Sequence, residues 1–180
     1  TMTMTSKVKP YKFGFGPFAP EVYRMPFGDV VGSEQLEDFF VKHVNPEAVA
    51  AVVAEPVQGE GGFVAPPDGY FQKLVEICKK HGILFVSDEI QTGMGRTGKI
   101  FAMEHFGITP DLTCIGKSIG GGLPISGIVG RADIIDAVPP GGLGGTFGGN
   151  PRAWNWPKAE ELRPSAFEGT AVMLSRRRKR

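Results

Sequence analysis

The stretch GILFVSDEIQTGMGRTG, residues 82–98, decides the fold. Ile83 to Ser87 is a short apolar run with no polar alternation, bounded by Gly82 and by the acidic pair Asp88-Glu89. A run of that length between turn signals reads as a buried strand. A continuously apolar strand belongs to a parallel sheet covered on both faces. Gly93, Gly95 and Gly98 then keep the following segment in a loop. Upstream, Tyr70, Phe71, Leu74, Val75 and Cys78 form one face of a helix that Asp68 is placed to cap and Gly82 to end.

Working outward, Val49–Ala54 and Leu112–Ile115 are two more short apolar runs, both expected to be buried strands, and Ile125–Val129 is a fourth. Ser33 caps a helix carrying Leu36, Phe39, Phe40 and His43 at helical spacing. Short helices are expected near Phe101–Phe106 and Ala132–Val138. Strands alternating with helices make this an α/β fold with a mainly parallel sheet and flanking helices. Residues 1–32, rich in glycine and proline, read as an extended arm, with Phe13, Phe15 and Phe18 packing it down. Residues 33–151 carry the α/β pattern. Residues 152–180 follow no period and end in five basic residues, Arg176 to Arg180, a poorly ordered tail.

Composition excludes several classes. Hydrophobic residues are 41% and charged residues 22% of 180, as in ordinary globular proteins. Net charge is +1, and without the basic tail 15 basic residues face 19 acidic ones, which is not the balance of a nucleic-acid binder. No apolar stretch approaches a membrane span, and Thr1 to Lys9 lacks a signal-peptide core. Cys78 and Cys114 read as ordinary buried thiols of a cytoplasmic protein. His43, His81 and His105 have no partners at metal spacing, so no metal is expected.

In an open parallel sheet, ligands bind beyond the carboxyl ends of the strands. Three strands here run into Glu55, into Asp88-Glu89 and, after Gly116, into Lys117. A glycine-rich segment follows each: Gly59 to Gly62, Gly93 to Gly95, and Gly120 to Gly122. Two readings of this set stand on spacing alone. One is a buried Asp–Lys ion pair. The other is the pair that pyridoxal phosphate requires, an amine that bonds its aldehyde in a partly desolvated site and a carboxylate that keeps its ring nitrogen protonated. Arg96, in the glycine-rich loop, suits an anion contact or a structural hydrogen bond.

The runs EPVQGEGG (55–62), SDEIQTGMGRTG (87–98), TCIGKSIGGGLPIS (113–126) and GGTFGGNP (144–151), together with KVKPYKFGFGPFAPEVYRMPF (7–27), resemble the class III (subgroup II) pyridoxal-phosphate aminotransferases, above all those acting on 4-aminobutyrate. The resemblance implies the large domain of the aspartate-aminotransferase type, incomplete in this chain. It implies an enzyme that moves an amino group from an ω-amino acid to a 2-oxo acid, working as a homodimer. Lys117 matches the Schiff-base lysine, which also transfers protons. Asp88 matches the partner of the ring nitrogen, Gln91 the residue near the ring oxygen, and Ile90 the apolar residue against one ring face. Thr146 matches the residue that bonds the cofactor phosphate across the dimer interface. Glu60 matches an acid that pairs with a substrate-site arginine, and Glu55 a further active-site carboxylate. The likeness ends at Asn150-Pro151, and the family's upstream phosphate-gripping loop and C-terminal domain have no counterpart. That implies a partial domain, marginally stable and prone to aggregate. Alternative readings are a non-catalytic truncated product or dimerisation fragment, and an ornithine or other ω-amino acid aminotransferase.

Overall fold

A computed structural model describes residues 2–27, 33–123 and 125–139. The helices are α1 (Ser33–Lys42), α2 (Tyr70–His81) and the short α3 (Ala132–Ile135). The strands are β1 (Ala51–Ala54), β2 (Leu84–Asp88), β3 (Leu112–Ile115) and β4 (Gly127–Gly130). They form one sheet in the order β1-β2-β3-β4. The first three strands are parallel, and β4 returns antiparallel to β3. The carboxyl ends of β1, β2 and β3 therefore share one edge.

Helix α2 is the organising element. Its apolar stripe of Tyr70, Phe71, Leu74, Val75, Ile77 and Cys78 is buried, and it packs on β2 and α1. Phe71 is fully buried, with its ring centroid 6.0 Å from that of Phe85 and 5.0 Å from that of Phe106. Leu36 and Phe40 of α1, with Ile83 and Met103, complete the core. The helix ends where expected, with the Gly82 N–H turned back to the carbonyls of Cys78 and Lys79. Its start differs. Gly69, in the left-handed conformation, occupies the capping position with no side-chain hydrogen bond, and Asp68 stands one residue too early to cap. The cap expected of Ser33 concerns a side chain outside the described residues.

Two further expectations are corrected. Among the described residues β1 is an edge strand, and its burial alternates instead of being complete: Val52 and Ala54 lean on the core while Val53 remains 40% exposed. On the face that Val53 shares with Ile128 of β4, the two outer strands are open, Ile128 at 44% exposure, while Val86 of β2 between them is buried. Phe13, Phe15 and Phe18 do not pack the arm down either; Phe27 does, with its ring centroid 5.5 Å from that of Tyr70. Phe13 is 67% exposed, Phe15 and Phe18 are also open to solvent, and the ammonium groups of Lys9 and Lys12 sit over the rings of Phe13 and Phe18. Tyr11 reaches back toward the strands' carboxyl ends (below).

Of the two remaining expected helices, the one near Phe101–Phe106 is a short 3-10 turn, Ala102–Phe106, and the one over Ala132–Val138 is the single-turn α3. At the sheet edge away from the strands' carboxyl ends, Asp111 acts as a clamp. Its carboxylate accepts the Phe85 N–H at 2.8 Å and the Arg131 guanidinium at 2.8 Å. Its backbone carbonyl accepts the Arg131 N–H. No helix among the described residues is long and apolar enough to cross a membrane.

Candidate active site

Sheet register brings the carboxylates together. Ala54 pairs with Ser87, so Glu55 follows β1 beside Asp88, the last residue of β2. Asp88 pairs with Cys114, three residues before Lys117. Glu55 is half-buried, and burial pushes its carboxyl above the ordinary value. The Gly59 N–H, donating to Glu55 Oε1 at 3.3 Å, opposes that shift; Asp88 and Glu60 add to it, and Lys117 offsets part. Three acids and one amine thus share a field at one sheet edge.

Asp88 is held by a tight local contact, the Ile90 N–H donating to its Oδ1 at 3.1 Å. Its other oxygen takes no hydrogen bond among the described residues. Lys117 sits in the left-handed region, φ 44°, an unusual place for a residue with a side chain. Its Nζ donates to Gln91 Oε1 at 2.6 Å. The side chain is exposed, which corrects the expectation of a partly desolvated amine. It forms no ion pair with Asp88 among the described residues, so the buried Asp–Lys pair is not what this edge contains.

The neighbouring glycines make room. A Cβ on Gly59 would fall 2.7 Å from the Gln91 amide, so any other residue there would push the Gln91 side chain aside. Ile90 packs against Gly116, the residue before Lys117. Glu60 is exposed, and its Oε2 accepts the Tyr11 hydroxyl at 3.3 Å, bringing the arm to the rim.

Glu55, Asp88, Ile90, Gln91 and Lys117 therefore gather at one sheet edge, with Glu60 at its margin. Thr146 lies outside the described residues. Glu89, grouped with Asp88 as an edge acid, turns the other way: its carboxylate is buried and accepts backbone N–H groups from Ala102 and Met103. Adjacent strand residues point to opposite faces, so only one of the pair can face the site. Sequence reasoning did not anticipate Tyr11 or Ser118. Tyr11 lies in a run of exposed aromatics with no distinguishing signal, whereas Ser118 had one in its adjacency to Lys117. Arg96 takes the structural role, its Nε donating to Ser118 Oγ at 2.9 Å. Cys114 is half-buried where a buried thiol was expected, and burial followed by Asp88 raises its thiol.

The sequence profile of the class-III aminotransferases matches residues 1–157. The chain belongs to the class-III aminotransferases. It is 54% identical to the probable 4-aminobutyrate aminotransferase of Bacillus subtilis over 165 residues, 84% of this chain and 38% of that protein. It is 47% identical to the 5-aminovalerate aminotransferase of Pseudomonas aeruginosa over 162 residues, 85% of this chain and 38% of that protein. The ornithine aminotransferase of Toxoplasma gondii, solved with pyridoxal phosphate at partial occupancy in its active site, superposes with a TM-score of 0.71 at 38% identity. That match covers 82% of this chain and 33% of that one. This class-III aminotransferase chain thus spans about two fifths of the length of the curated relatives named above. The class-III aminotransferases are pyridoxal-phosphate enzymes.

Proposed function

We propose that this chain carries the cofactor-holding core of an ω-amino acid aminotransferase, transferring an amino group from a 4-aminobutyrate-like donor to a 2-oxo acid. One observation carries the reading: Glu55, Asp88 and Lys117 lie beyond the carboxyl ends of three adjacent parallel strands, with Gln91 bonded to the Lys117 amine at 2.6 Å. The donor set fits pyridoxal phosphate, with an amine, a carboxylate with a spare oxygen, a side-chain amide and an apolar wall opened by glycine. When bound, that cofactor supplies an electron-withdrawing ring that lowers the barrier to deprotonating the substrate carbon.

Lys117 is the residue that would attach to the cofactor aldehyde. Freed by the incoming amino donor, its Nζ would carry the proton to and from the substrate carbon bearing the nitrogen. Asp88, through its unpartnered oxygen, would hold a proton at the ring nitrogen. Gln91 would pass from Lys117 to the ring oxygen, and Ile90 would exclude water from one face. Glu55 and Glu60 would face the substrate. The reading includes a cytoplasmic homodimer in which Thr146 of one subunit bonds the phosphate held by the other.

The test is borohydride trapping with pyridoxal phosphate on the full chain, followed by peptide mapping. The expected result is a single reduced adduct on Lys117 that Lys117→Ala removes. Adduct scattered over surface lysines, unchanged in Lys117→Ala, would overturn the reading. The ornithine aminotransferase superposition favours a second donor class. Exchange assays with 4-aminobutyrate, 5-aminovalerate and ornithine separate the two. Co-purification with an intact class-III subunit, without labelling of Lys117, would favour a dimerisation fragment instead.

A further inference from the structure

The loop from Glu89 to Phe101 is built as a brace with a fixed base and a reaching tip. At the base, Glu89 is 1% exposed, and its carboxylate accepts the N–H groups of Ala102 at 3.0 Å and Met103 at 2.9 Å and the hydroxyl of Thr92. A carboxylate satisfied by three donors in the interior is expensive to disturb. Gly93 closes the first turn, its N–H returning to the Glu89 carbonyl at 2.9 Å. A Cβ on Gly93 would fall 2.7 Å from that oxygen, so no other residue allows the turn. Further out, Met94 is in the left-handed region at φ 59°, secured by its N–H to the Ile100 carbonyl at 2.7 Å. His105 Nε2 lies 2.9 Å from the Thr97 carbonyl.

From the tip of this brace, Arg96 Nε reaches across to Ser118 Oγ at 2.9 Å. Ser118 follows Lys117, whose φ of 44° is strained and persists only where the surroundings fix it. The 3-10 turn Lys117–Gly120 is short, held by the Ile119 N–H to the Gly116 carbonyl at 3.2 Å and the Gly121 N–H to the Ser118 carbonyl at 3.3 Å, and side-chain contacts from outside add to what fixes it. Gln91, which accepts the Lys117 Nζ, belongs to the same brace. One rigid loop therefore grips the side chain of residue 117 at one point and that of residue 118 at another.

We propose that Arg96 is a positioning residue for Lys117, acting through Ser118 to keep the Lys117 amine against Gln91. This rests on the reading of Lys117 as the reactive amine, but its test needs no cofactor. Reductive methylation of the full chain with limiting formaldehyde and cyanoborohydride, read by peptide mass spectrometry, gives the Lys117 rate relative to exposed Lys79 and Lys99 in the same molecule. Ser118→Ala leaves the Arg96 charge in place. It should raise the relative Lys117 rate roughly threefold or more, because an amine released from its acceptor is free to turn toward the reagent. Adding Arg96→Met to Ser118→Ala should change the rate little further, since both remove one contact. A merely structural contact would lower the unfolding midpoint and leave the relative rate unmoved. A parent-like relative rate in Ser118→Ala, or a full additional effect of Arg96→Met on top of it, would overturn the proposal. Failure of Lys117 to take pyridoxal phosphate would instead count against the proposed function and leave this result standing.

Discussion

At the scale of single residues, the site is a set of half-exposed polar groups whose charges are read through one another. Glu55 shows this most directly. Burial and the neighbouring Asp88 raise its carboxyl, so the folded chain holds that proton to a higher pH than the unfolded chain does. The sign follows from linkage: the contribution of Glu55 is present at acid pH and is lost as pH rises from the ordinary value of 4.5 through the raised one. Glu55→Gln should therefore remove a decline in thermal midpoint between about pH 4 and neutrality, relative to the parent. Parallel melting curves for the two proteins across that range would refute the assignment.

At the scale of elements, the stability of this half-sheet rests on the seam between α2 and β2. Phe71 is fully buried between Phe85 and Phe106, so Phe71→Ala should cost about 3–5 kcal/mol, measured as a fall in urea midpoint. A loss of that size is comparable with the lower end of whole-domain stabilities. This seam was legible in the sequence because the helical period of Tyr70, Phe71, Leu74, Val75 and Cys78 is a local property. The edge that bears Glu55, Asp88 and Lys117 was legible too, since strand direction and the residue after each strand are both written locally. What was not legible depends on neighbours. The valines of β1 announce a strand but cannot announce that Val53 is left open at the sheet's edge. Asp68 has the right chemistry for a cap, yet the left-handed turn at Gly69 takes that position. The alternation of a strand assigns Glu89 to the face away from Asp88, but the partners of its carboxylate, the Ala102–Phe106 turn and the Thr92 hydroxyl, are set by the fold.

At the scale of the whole molecule, the sheet is unequally dressed. α2 covers one face, while Val53 and Ile128 lie open on the other, at 40% and 44% exposure, and β1 is an edge strand among the described residues. An apolar edge strand is a template for pairing with another copy. Val53→Lys should lower light scattering of concentrated protein while leaving the unfolding midpoint within about 0.5 kcal/mol of the parent. Scattering unchanged by that substitution would place the self-association elsewhere.

The Asp111 clamp has a consequence for how such a chain can diverge. It ties β2 to Arg131 at the edge from which the three parallel strands set out, whereas the reactive groups gather where those strands finish. Persistence and chemistry are thus assigned to opposite shores of the same sheet. Substitutions that retune the donor can accumulate on one shore without loosening the moorings on the other.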